Sequence, residues 1–486
     1  MSKKNQNYTN RKQNRFQPER MRGNVFVNNS GKQWLPGENG RAAKVERLLR
    51  GAKEEKKEIA GNMAGYKDSG VEEVKFIPKD WNTLRMKDAF NISKEIIGDK
   101  WTEAALLSLT TNGVKSITAD EQVGKRPKTF ATYQRVTKND IVMCLFDLDA
   151  SAVFSGLSGY DGMISPAYKI LKTKEQVLPE FANYYFQYIF EGRKYKKYAK
   201  SIRYTLSGEE FLRLLIVLPP LPEQQRIADF LDTKCGILDR TIDAVSRQIE
   251  DLEKYKKALI TKTVTKGICK KGETERAMKD SGVEWIGEVP EEWNVSKVKY
   301  NFSTFKKIPG KESEKYERLS LTMNGVKHRE KWTAEGLQPK DFMSYQLLRK
   351  GDLVFRLIDL QNPSKSRRVA LSHDTGLISP AYTILHADNN KMLPEYAEMF
   401  FLMMSYLDVF NALGSCGVRS SINNAELMKI SVLVPPLAEQ QQIADYLDEK
   451  CKNIDNRVQK RRQQLEWLKE YKKSLIFDYV TGKKRV

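Results

Sequence analysis

Two stretches of the chain place apolar residues at alternating steps of three and four. In the first, Cys235, Leu238, Ile242, Val245, Ile249 and Leu252 form one helical stripe that continues to Leu259, with charged residues between them. In the second, Cys451, Ile454, Val458, Leu465, Leu468 and Leu475 repeat the stripe, and Arg461 stands where the first has Val245. A stripe this narrow and long marks a helix that pairs with another along a seam, and the two stripes predict one such pair. A helix from 223 to 263 would be roughly 60 Å long, enough to hold two folded bodies a fixed distance apart. The blander alternative is that each helix only covers its own domain's core.

Each helix that carries a stripe begins just after a double proline, at Pro219-Pro220 and Pro435-Pro436. Proline cannot continue a helix interior and keeps the residue before it extended, so each pair is a domain boundary. Glu223 and Glu439 then fall in the first helical turn, where negative charge suits the helix dipole. Upstream of each boundary the pattern changes. Short β-rich runs such as Asp140 to Phe146 and Asp352 to Ile358 alternate with Gly, Pro and Asn punctuation, and Pro179 to Phe190 is helical in period. The fold class read from this is α+β: two globular domains at 66–220 and 278–436, spacer helices at 221–265 and 437–482, and a linker at 266–277.

The two halves are copies. Lys67-Asp-Ser-Gly-Val-Glu72 returns as Lys279-Asp-Ser-Gly-Val-Glu284, and Pro78 and Trp81 return as Pro290 and Trp293, each 212 residues later. Leu107 to Val114 returns at Leu319 to Val326, Ile164-Ser-Pro-Ala-Tyr168 at Ile378-Ser-Pro-Ala-Tyr382, and the double-proline signature at an offset of 216. A repeat of this length is a whole domain with its appended helix, so the chain is a tandem duplication.

Charge changes the picture next. The net charge is +21 over 486 residues, which favours a polyanionic partner, nucleic acid above all. Its distribution is uneven: residues 1–65 hold 15 Lys/Arg against 6 Asp/Glu, while 66–220 hold 23 against 19 and 278–436 hold 21 against 19. The basic extension reads as largely disordered, with one amphipathic helix at Arg41 to Ala60, and is either a solvated tail or an arm touching phosphates or a partner. The five cysteines are scattered, with no CxxC pair, and only three histidines are present, which argues against a zinc site or a disulfide framework. The first residues carry no apolar signal core, and the most apolar windows fall short of the roughly 20 residues a membrane helix needs. Cytoplasmic location is the expectation.

Enzymatic readings find little inventory. No Asp/Asn-Pro-Pro-Tyr/Phe amino-methylation motif and no GxxxxGK[ST] phosphate loop occurs. Glu73-Val-Lys75 matches the tail of a nuclease motif without a supporting acidic residue. A nuclease or methyltransferase with an unrecognised catalytic domain, and a helical scaffold with no DNA role, stand as the competing readings.

If the polyanionic partner is DNA read by both copies, identity between copies argues for architecture, so Pro166, Tyr168, Pro380, Tyr382, Trp81 and Trp293 read as packing residues. Polar residues that differ between copies are the better base readers. In the first half these are Lys125, Arg126, Lys128, Tyr133, Gln134 and Arg135; in the second, Asn324, Lys327, His328, Arg329 and Lys331, with a basic loop of Lys365, Arg367 and Arg368. Lysine runs more often simply face water. Lys196 and Lys197, in a run interleaved with tyrosines, suit phosphate contact. Arg203 and Arg419 sit at matching places before the double prolines; each either anchors a phosphate or a guanine, or pairs with an acidic residue of its own domain.

The run Lys279 to Trp293, the Ile-Ser-Pro-Ala-Tyr box in each half, and Pro-Pro-Leu-x-Glu-Gln-Gln opening each long helix together resemble the specificity subunits of type I restriction-modification systems. The resemblance covers 66–482. It implies a non-catalytic subunit of a host-defence DNA methylation and restriction complex, located in a bacterial or archaeal cytoplasm. Two target recognition domains would each read a half-site in double-stranded DNA, and the helices would pair as an antiparallel coiled-coil spacer. The spacer would dock two modification methyltransferase subunits, with restriction/translocase subunits joining them. S-adenosylmethionine, ATP and Mg would reside on those partners, with no cofactor on this chain. Two features depart from the pattern: the extension at 1–65, and Glu73-Val-Lys-Phe-Ile where the second copy has Trp285-Ile-Gly-Glu-Val.

Overall fold

In the computed structural model, residues 65–111, 113–121, 127–191, 193–199, 204–268, 276–330, 341–361, 367–414 and 420–486 are described. The expectations for 1–64, including the helix at Arg41 to Ala60, lie outside them. Four helices organise the chain: α1 (Pro179–Glu191), α2 (Leu221–Lys266), α3 (Pro394–Tyr406) and α4 (Leu437–Val480).

In each domain a strand buried on both faces lies within a four-stranded antiparallel sheet. Ile141–Met143 pairs with Lys169–Thr173 and Ser155–Leu157, and Phe90–Ser93 adds an edge. Strand alternation splits its side chains. Ile141 and Met143 join the core that holds α1, while Val142 enters a smaller core against a second layer of strands. The continuous apolar run in the sequence is this two-sided burial. Leu353–Phe355 repeats the arrangement with Thr383–Ala387, Val369–Leu371 and Phe302–Thr304.

The second layer differs between copies. In the second domain it is one sheet in the order Gly325–Arg329, Arg318–Thr322, Gly376–Ile378, Gln346–Leu348. In the first it is two hairpin-sized pieces joined by the single bridge Leu106↔Met163. Gly162 and Gly376 allow the crossing in both, because a Cβ there would stand 2.4 Å from Ala105 O or 2.6 Å from Glu317 O.

The double-proline signature opens each long helix and pins it to its domain. Gln224 accepts from the Leu178 amide at 2.8 Å and donates to Gln176 O and Pro219 O; Gln440 does the same with Leu393, Lys391 and Pro435. Glu223 and Glu439 accept from the indole N–H groups of Trp81 and Trp293, at 3.2 and 2.8 Å.

Each long helix ends in the other domain. Ile260 and Val264 of α2 are buried in the second domain's core, where Tyr396 Oη donates to Val264 O at 3.2 Å. Leu475, Ile476 and Val480 of α4 are buried in the first domain's core, and Tyr66 Oη donates to Gly482 O at 3.1 Å. Past each helix end an arginine completes the joint: Arg485 pairs with Glu223 and Asp80, and Arg276 with Glu439 and Glu292. The chain thus closes into a ring of two domains and two helices.

Between the domains the helices run antiparallel. Leu238, Ile242, Val245, Ile249 and Leu252 meet Ile454, Val458, Leu465 and Leu468 in one cluster, flanked by the ion pairs Lys256–Asp455, Glu253–Arg462 and Asp239–Lys472. The ends of the stripes have another use. Cys235 and Cys451 belong to the domain cores, and burial pushes both thiols up to about 11. Arg461 is half-buried and donates to Gln464 at 2.7 Å.

Replacing Ile249 by Asp in this seam should lower unfolding stability by at least about 3 kcal/mol, from lost burial plus carboxylate desolvation. Gly482→Ala should cost about 2 kcal/mol or more, since φ is +67° and the new Cβ would stand 2.4 Å from Pro78 Cδ. Gly70→Ala, at the same φ with open space around it, should cost only about 1 kcal/mol. Urea unfolding of the three variants checks the ranking.

Candidate nucleic-acid interface

The second layer of each domain ends in an exposed hairpin strand. In the second domain Arg318–Thr322 turns back as Gly325–Arg329, with Leu319 opposite His328 and Ser320 opposite Lys327. Leu319 and Leu321 are buried, whereas Asn324, Lys327, His328 and Arg329 are exposed at the edge of the sheet. His328 lies between two carboxylates, 2.7 Å from Glu317 and 3.1 Å from Asp374. The matching strand of the first domain is Gly113–Ser116, and Lys128 of the same domain is exposed.

Residues absent from the sequence reading are exposed on the same layer of strands, at both of its edges. Lys115 holds the place of Lys327 after the shared Gly-Val and is exposed. A search for residues that differ between copies passes over it, although phosphate contact needs no difference. Lys306 and Lys307 are exposed beside the strand Gln346–Leu348, where the Leu347 amide donates to Lys307 O.

Several sequence candidates are structural instead. Tyr133 is buried edge-on against Phe130, and Tyr345 repeats the contact with Phe342. Gln134 is buried and its amide donates to Ser165 O and Tyr168 O, as Gln346 does to Ser379 O and Tyr382 O. Both residues recur at the 212-residue offset, so the test of identity between copies applied to them as well. Gln134 and Gln346 hold the Ser-Pro-Ala-Tyr turns, and Tyr133 packs against Phe130 in the interior. Arg368 is also buried, and its guanidinium donates to Ile358 O, Asp359 O and Leu360 O. Burial pushes its pKa down, with Arg356 adding repulsion. Arg367 turns toward Glu398, 3.5 Å away.

The carbonyls that Arg368 binds belong to a turn in which Asp359 has φ +54°, and the first domain repeats it with Asp147 at +50°. Left-handed non-glycine residues are strained and persist where their surroundings hold them. In the first domain the holder is Arg193, which donates to Leu148 O and Ser151 O at 2.9 Å. Lys196 is paired with Asp149 of the same loop, and Lys197 with Glu72 and Glu73. Arg135 pairs with Glu95 at 3.0 Å and stays exposed. Lys125, Arg126, Arg203, Lys331, Lys365 and Arg419 lie outside the described residues. The segments flanking Arg203 and Arg419 do meet these turns, since Leu148 N donates to Tyr204 O and Leu360 N to Ser420 O.

Comparison with known proteins bears on this arrangement. Residues 78–254 and 381–466, more than half of the chain, match the model of the type I restriction modification DNA specificity domain. The type I restriction enzyme MjaVIII specificity subunit of Methanocaldococcus jannaschii is 25% identical over 454 residues, covering 87% of this chain and 98% of the relative. The putative type I restriction enzyme MjaX specificity subunit of the same organism is 25% identical over 448 residues, with the same two coverages. A solved chain from work on complex assembly and conformational transition of the type I R-M system superposes with a TM-score of 0.57 at 13% identity. The superposition covers 84% of this chain and 99% of the other, a likeness of fold.

Burial separates the arginines into two groups that one experiment distinguishes. Arg368→Ala should lower thermal stability, because three carbonyls lose their donor. Arg329→Ala and Lys327→Ala should leave the melting temperature within about 1 °C, while each reduces the salt dependence of DNA binding by about one phosphate's worth. Scanning calorimetry and a salt titration of the assembled complex read both effects.

Proposed function

Because the chain belongs to the DNA specificity family of type I restriction-modification systems, we propose that its two domains each read one half of a two-part DNA target while the helix pair sets the unread gap. The chain is the DNA-recognition subunit of such a system, working with methyltransferase and restriction subunits and not itself an enzyme. The observation that carries the two-part reading is the ring: two copies of one fold, held apart by antiparallel helices that each end inside the other domain.

In this reading residues 66–220 recognise one half-site and 278–436 the other. Asn324, Lys327, His328 and Arg329 approach the DNA from the exposed edge hairpin and Lys128 from the surface of the first domain, with Lys115, Lys306 and Lys307 on phosphates. Arg135, Lys196 and Lys197 reach phosphates by leaving carboxylate partners, and Arg203 and Arg419 each anchor a phosphate or a guanine. Two modification subunits dock on the spacer, because pseudo-twofold symmetry gives α2 and α4 matching outer faces. Tyr255 and Tyr471 illustrate the match: they are 216 residues apart and both exposed.

Exchanging residues 278–436 for the matching domain of a relative should change one half of the target and leave the other half and the gap intact. Sequencing methylated sites from cells carrying the exchanged chain and its partners reads this directly. A continuous target, or a change in both halves, would refute the division of labour.

A further inference from the structure

The second domain fills a groove that the first leaves open. Strand registers fix the equivalence: Gly156 stands opposite Val142, and Ala370 opposite Val354, so Val153 and Arg367 hold the same place three residues earlier. Asn183 and Glu398 are each the fifth residue of their helices, α1 and α3. In the second domain the Arg367 guanidinium reaches toward Glu398 at 3.5 Å, and its Nη1 lies 3.6 Å from where a Cβ on Gly325 would stand.

In the first domain the valine stops short. A groove of about 900 Å³ remains between the domain and the spacer, lined by Gly113, Val153 and Asn183, which match Gly325, Arg367 and Glu398. Ser155 and Asp243 complete the wall. Asn183 Oδ1 and Ser155 Oγ are buried with no hydrogen-bond partner, a costly state for an acceptor and a hydroxyl. The lysines on the same wall are already neutralised, Lys472 by Asp239 and Lys473 by Glu191 and Glu470.

We propose that this groove is a binding site for a guanidinium cation, supplied as an arginine side chain by a partner polypeptide. The amide oxygen of Asn183, the hydroxyl of Ser155 and the carboxylate of Asp243 are three acceptors, and a planar fork of five N–H donors can serve them together. An ammonium on a lysine is a compact point charge without that fork. The groove is far larger than one guanidinium, which leaves room for the chain that carries it. The proposal stands apart from DNA reading, because Asn183, Ser155 and Asp243 lie outside the exposed hairpin strand Gly113–Ser116.

The test uses the full-length protein and N-acetyl-argininamide, with N-acetyl-lysinamide and methylguanidinium as comparisons. Crystals soaked with the arginine probe should show it in the groove against Asn183, and the lysine probe should leave the groove empty. Arg367→Met should open the second groove to the same probe. Val153→Arg should fill the first groove from within, exclude the probe, and raise the melting temperature by about 2–4 °C over Val153→Leu. A groove that stays empty in wild-type crystals, together with Val153→Arg no more stable than Val153→Leu, overturns the proposal. Binding of methylguanidinium as tight as that of the arginine probe overturns the polypeptide source.

Discussion

The paired carboxylate at the start of each long helix, buried in the first and half-buried in the second, is the constraint on which the rest of the structure depends. The Glu223 side chain is 4% exposed, and a charge so placed is stable only if it is paired. The joint draws on three separated parts of the chain: the helix start that carries the carboxylate, the indole of Trp81, and the guanidinium of Arg485 past the far end of α4. Glu439 collects Trp293 and Arg276 in the same way. Neither joint can form until a helix that began in one domain has reached the other. Buried ion pairs add little net stability, since desolvation offsets the attraction. Their contribution here is register: a helix slipped by one turn would leave a glutamate, an arginine and an indole unsatisfied at once.

Much of this was legible in the sequence, for identifiable reasons. The seam residues from Leu238 to Leu252 and from Ile454 to Leu468 fall on a regular period, and a period survives in any context. The duplication was legible in part because residues held by burial and hydrogen bonds repeat, such as Trp81, Trp293, Gln224 and Gln440. What was not legible is the direction a polar side chain takes. Gln134, Arg367 and Arg368 have the composition of a DNA-reading loop, yet they turn inward to backbone carbonyls and a glutamate. The carbonyls they satisfy are supplied by tertiary structure, so no local pattern announces them. Ring closure was equally hidden, because Arg485 and Glu223 are neighbours only through the fold.

The strained turns show how two copies keep one shape with different residues. Arg193 holds the turn of the first domain from the end of α1, while in the second the matching position is Asp408, also left-handed, and the guanidinium comes from Arg368 within the loop. The charge at the matching position is reversed and the donor is relocated. The requirement for a donor against those carbonyls is unchanged, because a turn with outward-facing buried carbonyls needs one from somewhere. Architecture is therefore preserved at the level of satisfied groups, while individual positions are released to vary.

That freedom has a limit set by the ring. Each domain grips the beginning of one helix and the end of the other, so the two helices share one length requirement, and α2 with 46 residues is nearly matched by α4 with 44. Adding one turn to α2 alone would move its end by about 5.4 Å while α4 held the domains at their former distance. Either the seam or a Trp–Glu–Arg joint would then have to break. Adding a turn to both moves the domains apart with every joint intact. If the domains read the two halves of a target, their spacing changes only in paired steps, somewhat less than two base pairs at about 3.4 Å each. The gap between half-sites is then a property of the helix pair and is independent of whatever loops read the bases.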